Sequence, residues 1–194
     1  MIEIGILSLQ GDVSEHVFAV KSAMEKMALS GEVVEVKARD QFKTLNGLII
    51  PGGESTTQGK LISEYGMDWE IKKLADREVP IMGTCAGLIL LGKDNEEVNS
   101  LGLMDVKVRR NAFGRQRESF EADLMIPKLG EELYHAVFIR APAIEWVGEN
   151  VEVLAEYDGG IVMAQQDRWV AVAFHPELTS DTRIHEYFLE LLKK

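Results

Sequence analysis

The chain has 194 residues, and its 21 basic against 32 acidic side chains leave a formal net charge of −11. That balance argues against a nucleic-acid or anionic-membrane surface and for small molecules or other proteins as partners. One cysteine excludes an intrachain disulfide, and the cysteine and four histidines form no cluster with zinc spacing, so no metal is expected.

Residues 2–9 read as a buried strand and Gln10-Gly11 as a turn. Val13, Val17, Val20, Met24 and Met27 then recur at steps of four and three, one face of a helix, with Asp12 and Glu15 placed like a capping box. Residues 32–37 alternate as a strand, and Gly47-Leu48-Ile49-Ile50 forms a short buried strand that runs into Pro51-Gly52-Gly53. Helical stretches follow over residues 55–65 and 68–77, and Pro80-Ile81-Met82 leads to a further strand. Strand and helix alternating in this rhythm predict an α/β fold with a parallel sheet covered on both faces. The later chain has a different texture. Residues 106–108, 120–125, 136–139, 151–157, 161–165 and 169–174 read as short strands at hairpin-like spacing, with Asp158-Gly159-Gly160 as a turn. Ile184, Tyr187, Phe188, Leu191 and Leu192 give a closing amphipathic helix. No Pro/Gly/Ser-rich linker interrupts the pattern, so residues 1–194 are expected to form one domain. Met1-Ile2-Glu3-Ile4-Gly5 lacks the features of a secretory signal, and no apolar run reaches the roughly 18 residues of a membrane helix. A cytoplasmic location without a membrane partner is the expectation.

Chemistry concentrates in two places. Gly83-Thr84-Cys85-Ala86-Gly87 puts the cysteine in the frame of a nucleophile elbow, a strand-to-helix turn in which flanking glycines allow a sharp bend. A lone buried cysteine is ordinarily an inert small hydrophobe. Here His175-Pro176-Glu177 follows the last predicted strand, so that His175 can take the thiol proton and later return it to a leaving amine while Glu177 holds the imidazole tautomer. Triads are defined by role and geometry and not by order in the chain. Ligands in such sheets gather at the carboxyl ends of the parallel strands, where Gln10-Gly11, the Pro51-Gly52-Gly53-Glu54-Ser55 loop and Cys85 are all expected. Backbone amides of Gly52 or Gly53, with that of Ala86, suit the oxyanion of an acyl-transfer intermediate. On its own Pro-Gly-Gly is a tight turn, and no Gly-Lys-Ser/Thr follows to make it a phosphate loop.

Together the elbow cysteine, the Pro-Gly-Gly loop and His-Pro-Glu resemble the class I, triad-type glutamine amidotransferases. That resemblance implies a flavodoxin-like three-layer sandwich, with a mainly parallel central sheet and additional antiparallel strands in the C-terminal half. A narrower resemblance, to the glutaminase subunits of pyridoxal 5′-phosphate synthases, rests on six blocks spread from end to end. These are Gly5-Ile6-Leu7-Ser8-Leu9-Gln10-Gly11 with Glu15-His16; Pro51-Gly52-Gly53-Glu54-Ser55-Thr56-Thr57; Gly83-Thr84-Cys85-Ala86-Gly87-Leu88; Arg110-Asn111-Ala112-Phe113-Gly114-Arg115-Gln116 with Ser119-Phe120-Glu121; Phe138-Ile139-Arg140-Ala141-Pro142; and Phe174-His175-Pro176-Glu177-Leu178-Thr179. Ala112 stands where that family has a serine, and Ser8 where glycine is common.

The resemblance implies Cys85 as nucleophile, with His175 and Glu177 as base and orienter. It implies Gly53, Glu54, Ser55, Arg110, Ile139 and Arg140 as the positions that hold L-glutamine, and the amides of Gly53 and Ala86 as the oxyanion hole. Arg suits an α-carboxylate and an acidic or carbonyl oxygen an α-ammonium, which agrees in part with that set. The reaction implied needs no cofactor, and its ammonia passes to a separate synthase subunit. Gln10 and Gly11 are expected to face that partner, beside the Gly52-Gly53 loop, with Glu15, His16 and Lys21 exposed on the following helix. Otherwise His16 and His185 read as solvated or capping residues, and Arg109, Arg115 and Arg117 receive no role. Alternatives are a glutaminase serving another synthase, such as the imidazole glycerol phosphate system, a noncatalytic binding module of the same fold, and a peptidase or deglycase of the related elbow-cysteine group.

Overall fold

The computed structural model describes residues 1–93, 98–114 and 118–193. Arg115, Gln116 and Arg117 therefore lie outside the described residues. β1 (Ile2–Leu7) pairs in parallel with both β2 (Gly31–Val36) and β3 (Gly47–Ile50), and β3 continues in parallel to β4 (Ile81–Thr84). β3 and β4 are buried at every position, the expected character of parallel strands covered on both faces. α1 (Val13–Lys26) connects β1 to β2, whereas α2 (Ser55–Glu64) and α3 (Met67–Asp76) connect β3 to β4. The chain therefore winds outward from β1 in opposite directions, and right-handed crossovers put α1 and the α2–α3 pair on opposite faces. α4 (Ala86–Leu91) leaves the end of β4 and packs against α2, while α5 (Arg183–Glu190) packs against α1.

The antiparallel part consists of β5 (Val106–Arg109), β6 (Ser119–Leu124), β7 (Tyr134–Ile139), β8 (Ala143–Val147), β9 (Glu152–Tyr157), β10 (Gly160–Gln166) and β11 (Trp169–Val172). Among the described residues the main sheet runs β2-β1-β3-β4-β11-β10-β8-β5, with β9 also on β10, and β6 and β7 form a separate ribbon. β8 has no counterpart among the strands read from the sequence. β11 turns tightly from β10 as a hairpin partner but lies parallel to β4, pairing Ala171 with Gly83 and Val172 with Thr84. That register joins the two halves and delivers the segment after β11 beside the elbow. The mixed sheet with its antiparallel additions agrees with the expected fold class, and buried apolar residues from both halves form a continuous core. Among the described residues no helix is long and apolar enough to cross a membrane.

Three local expectations need correction. Asp12 occupies the N-cap of α1, yet its side chain makes no cap hydrogen bond, so no capping box forms with Glu15. The buried face of α1 is His16, Ala19, Val20, Ala23 and Met24, not the valine stripe alone. His16 and His185 are both fully buried, neither solvated nor capping.

Candidate active site

Cys85 is the hinge between β4 and α4, with φ 48° and ψ −100°. A non-glycine residue with positive φ is strained, and its neighbours make it tolerable here. The Cys85 amide donates to the Val172 carbonyl at 2.7 Å, fixing the turn to the end of β11. Glycine is obligatory beside it because a Cβ on Gly87 would stand 2.1 Å from the Ile50 carbonyl oxygen. The elbow thus depends on α4 starting directly against the end of β3. The sulfur is nearly buried and lies 3.9 Å from the carbonyl oxygen of Ile139.

His175 follows β11 by three residues, and its amide donates to Val137 at 2.8 Å, so β7 and β11 both anchor it. Its Nδ1 donates to Glu177 Oε1 at 2.7 Å, and Asp12 Oδ2 lies 3.4 Å from the same nitrogen. The short 3-10 turn Pro176–Leu178 holds Glu177 with its carboxylate wholly buried. Burial opposes charge on His175, but hydrogen bonding and charge from Cys85 and Glu177 outweigh it and push the imidazole up to about 10. Burial raises Glu177 from the ordinary carboxylate range, against the pull of the His175 hydrogen bond. Asp12, His175 and Glu177 are the described residues whose donor atoms converge closely enough to contact one cation. They converge on a nitrogen whose hydrogen already joins His175 to Glu177, so a cation there would displace the proton that orients the base.

A cleft of about 450 Å³ opens over the sulfur, lined by Gln10, Asp12, Gly53, Glu54, Ser55, Cys85, Ala86, Ile89, Arg110, Asn111, Ile139, Arg140 and His175. It therefore gathers the residues inferred for substrate binding and the oxyanion from four separate stretches of chain. Glu54 caps α2, accepting from the amides of Thr56 at 3.1 Å and Thr57 at 2.8 Å, and Arg110 reaches its Oε1 at 3.3 Å. Burial opposes the charge on Glu54, but the hydrogen bonds from Thr57 and Thr56 outweigh it and hold the carboxyl below its usual range. Ser55 is buried as the first residue of α2, whereas Arg140 is exposed with φ 44° and its amide bonded to Glu118 at 2.6 Å. Arg109 pairs with Glu145 at 3.2 Å.

Gln10 and Gly11 do sit against the Gly52-Gly53 loop. Gln10 Oε1 accepts from the Glu54 amide at 2.9 Å, and a Cβ on Gly11 would stand 1.7 Å from the Gly52 carbonyl oxygen. That carbonyl accepts from the Asp12 amide at 3.3 Å and from Gln58 Nε2 at 3.4 Å. Of the helix residues expected outside, Glu15 and Lys21 are exposed and His16 is not. Behind Glu177, His16 Nε2 lies 3.3 Å from Glu177 Oε2 and 3.0 Å from Thr84 Oγ1, and His16 Nδ1 lies 3.1 Å from His185 Nε2. Sequence reasoning missed Asp12, Asn111, Ile89 and this histidine pair. A signal for the pair existed: His16 falls three residues after Val13 and four before Val20, and His185 three before Phe188, so each lies on its helix's apolar stripe.

A family model described as the SNO glutamine amidotransferase family matches residues 6–194. A protein of Methanococcoides burtonii named pyridoxal 5′-phosphate synthase subunit PdxT is 52% identical, covering 98% of this chain and 99% of its own. Its counterpart of the same name in Archaeoglobus fulgidus is 50% identical over 98% of each chain. Among solved structures, one titled as a glutamine amidotransferase superposes with a TM-score of 0.88 at 45% identity, covering 98% of this chain and 99% of that one.

Proposed function

The chain belongs to the SNO glutamine amidotransferase family, and from that premise we infer that it is the glutaminase subunit of a pyridoxal 5′-phosphate synthase, working through a Cys85–His175–Glu177 triad. It hydrolyses L-glutamine to L-glutamate and ammonia and supplies the ammonia to the synthase subunit for vitamin B6 biosynthesis. The observation that carries the triad is the meeting of the strained elbow at Cys85 with the 2.7 Å His175–Glu177 pair beside one cleft.

The steps on this reading are those of acyl transfer through a cysteine thioester. Cys85 Sγ attacks the side-chain amide carbon of glutamine as its proton passes to His175, giving a tetrahedral intermediate whose oxyanion is met by the amides of Ala86 and Gly53. Collapse of the intermediate breaks the carbon–nitrogen bond, and His175 returns the proton so that the amine leaves as ammonia. Water, deprotonated by His175, then attacks the γ-glutamyl thioester, and glutamate leaves as the thiol is restored. Throughout, Glu177 keeps Nδ1 of His175 protonated, so that Nε2 is the nitrogen that takes up and returns the proton of sulfur, leaving group and water. Arg110 and Arg140 suit the substrate α-carboxylate, and Glu54 the α-ammonium, with Ser55 and Ile139 closing the cleft around the chain of the amino acid. The protein works as a single domain in the cytoplasm.

Docking of the synthase at Gln10 and Gly11 is the means by which ammonia release is coupled to its use. Those residues brace the Gly52-Gly53 peptide, whose amide is one of the oxyanion donors, so partner contact there bears directly on turnover. The test is glutamate release at saturating glutamine, with and without the synthase subunit. The parent chain gains about 100- to 1,000-fold on docking, the worth of one oxyanion donor. Cys85→Ala falls by at least about 10,000-fold in the complex. Parent-rate release by a folded Cys85→Ala variant would remove the nucleophile assignment, and full activity of the isolated parent would remove the coupling alone.

A further inference from the structure

Behind the triad lies a chain of polar groups with no access to the cleft or to solvent. Both His16 on α1 and His185 on α5 have no exposed surface, and neither lines the pocket over Cys85. Their rings meet edge to face, with centroids 5.4 Å apart. One buried imidazole costs free energy unless its nitrogens are paired, and two in contact require a reason.

Glu177 supplies it. Its Oε1 is taken by His175, while its Oε2 is buried with no hydrogen-bond partner among the described residues and lies 3.3 Å from His16 Nε2. We propose that His16 is a positioning residue for the glutaminase reaction: its Nε2–H, in the tautomer fixed by His185, holds the outer oxygen of Glu177 and thereby aims the inner one at His175. The proposal rests on the triad reading above and extends it by two buried residues.

Ring chemistry selects the tautomer. If His16 carried its hydrogen on Nδ1, its Nε2 would accept from Thr84 Oγ1 with its lone pair beside a carboxylate oxygen, and His185 would be left with a buried Nδ1–H that has no acceptor among the described residues. With the hydrogen on Nε2, it reaches Thr84 Oγ1 at 3.0 Å and presents its positive end beside Glu177 Oε2, 3.3 Å from the nitrogen, while Nδ1 accepts from His185 Nε2–H at 3.1 Å. The group then left unpaired is a lone pair on His185 Nδ1, an acceptor instead of a donor. Burial also keeps both rings neutral, lowering His16, which His185 and His175 lower further, and bringing His185 down to about 4. A neutral ring in one tautomer is a directional donor.

Direction matters because the terminal torsion of a glutamate is broad and nearly two-fold, so a carboxylate held by one oxygen can swing. Holding the second oxygen from α1, with α1 itself braced by α5 through the histidine pair, restricts that swing. Partners that orient the ligands of a metal typically cost about 10- to 100-fold in activity when lost, and a partner that orients the triad carboxylate is expected in the same range.

Nitrogen-15 correlation spectra of the histidines in the intact chain read the tautomer directly, independently of catalysis. His16 is expected with hydrogen on Nε2 and an unprotonated Nδ1. The opposite tautomer would overturn the proposal even if the glutaminase reading stands. In the complex with the synthase subunit, His16→Leu is expected to lower kcat about 10- to 100-fold with KM changed less than about twofold, and His16→Gln, whose amide nitrogen reaches the place of Nε2, to recover most of the loss. A folded His16→Leu variant with parent kcat, or a His16→Gln variant as slow as His16→Leu, would overturn it. Loss of the glutaminase reading itself would show separately, as activity surviving in Cys85→Ala.

Discussion

The two sides of Cys85 are built on opposite electrostatic terms. In front, the Glu54 and Arg110 side chains are 50% and 32% exposed and meet at 3.3 Å, in the range where water screens an ion pair to a small net value. Behind, the Glu177 and His16 side chains are fully buried and the His175 side chain is 5% exposed, so every polar contact there is strong and every unpaired group costly. A screened front can exchange its internal ion pair for the charges of an amino-acid substrate at little cost. The desolvated rear cannot rearrange cheaply, which suits groups that must hold one geometry through every step. Front residues should therefore govern affinity, and rear residues turnover and stability.

The sharpest way to break that distinction is His175→Asn in the complex. Losing the base is expected to lower kcat by about 10³- to 10⁴-fold, about 4–5.5 kcal/mol, with KM little altered. A variant that instead raised KM at unchanged kcat would place His175 among the binding residues.

An intermediate effect comes from the buried histidine pair through pH. His185 titrates at about 4 in the folded chain against about 6.5 when unfolded, so between those values the unfolded chain binds the extra proton. Stability from this residue is fully present above about pH 6.5, falls as pH drops, and levels off below about pH 4 with a loss of order 3 kcal/mol. His16 is lowered in the same direction. Urea midpoints at pH 7 and pH 5 read this loss, and it should shrink in His185→Gln. Equal loss in that variant and the parent would trace the acid sensitivity to other groups and weaken the picture of a desolvated rear.

The smallest effect belongs to the front. Arg110→Ala is expected to raise KM for glutamine about 10-fold, about 1.4 kcal/mol, with kcat within about twofold and the unfolding midpoint almost unchanged. A fall in kcat at constant KM would make Arg110 part of the turnover machinery and erase the contrast between the two sides.

Much of this was legible along the chain because its signals are local. The elbow cysteine has a glycine two residues to either side, His175 and Glu177 are two residues apart, and the alternation of strands with helices up to β4 follows from periodicity. The Pro-Gly-Gly loop and Glu54 follow directly on β3. Those features need only short stretches of backbone to define their geometry. β8 was not legible, since its buried positions Ala143 and Ile144 are adjacent and not alternate, and Glu145 and Trp146 are both exposed. Asp12 fitted a capping box by spacing, but its carboxylate is oriented by His175, a residue far along the chain.

Local pattern along the chain singles out the groups proposed to react: one thiol in a turn, one imidazole with a carboxylate beside it, and a glycine loop. Which groups stand behind them depends on pairings between distant segments and so is settled by folding. The parallel match of β11 to β4 delivers His175 to Cys85, and the packing of α1 against α5 brings His16 to His185 and Glu177. A histidine on an apolar stripe carries no label of its partner. Burial removes water from all such groups alike, and the fold chooses which of them meet.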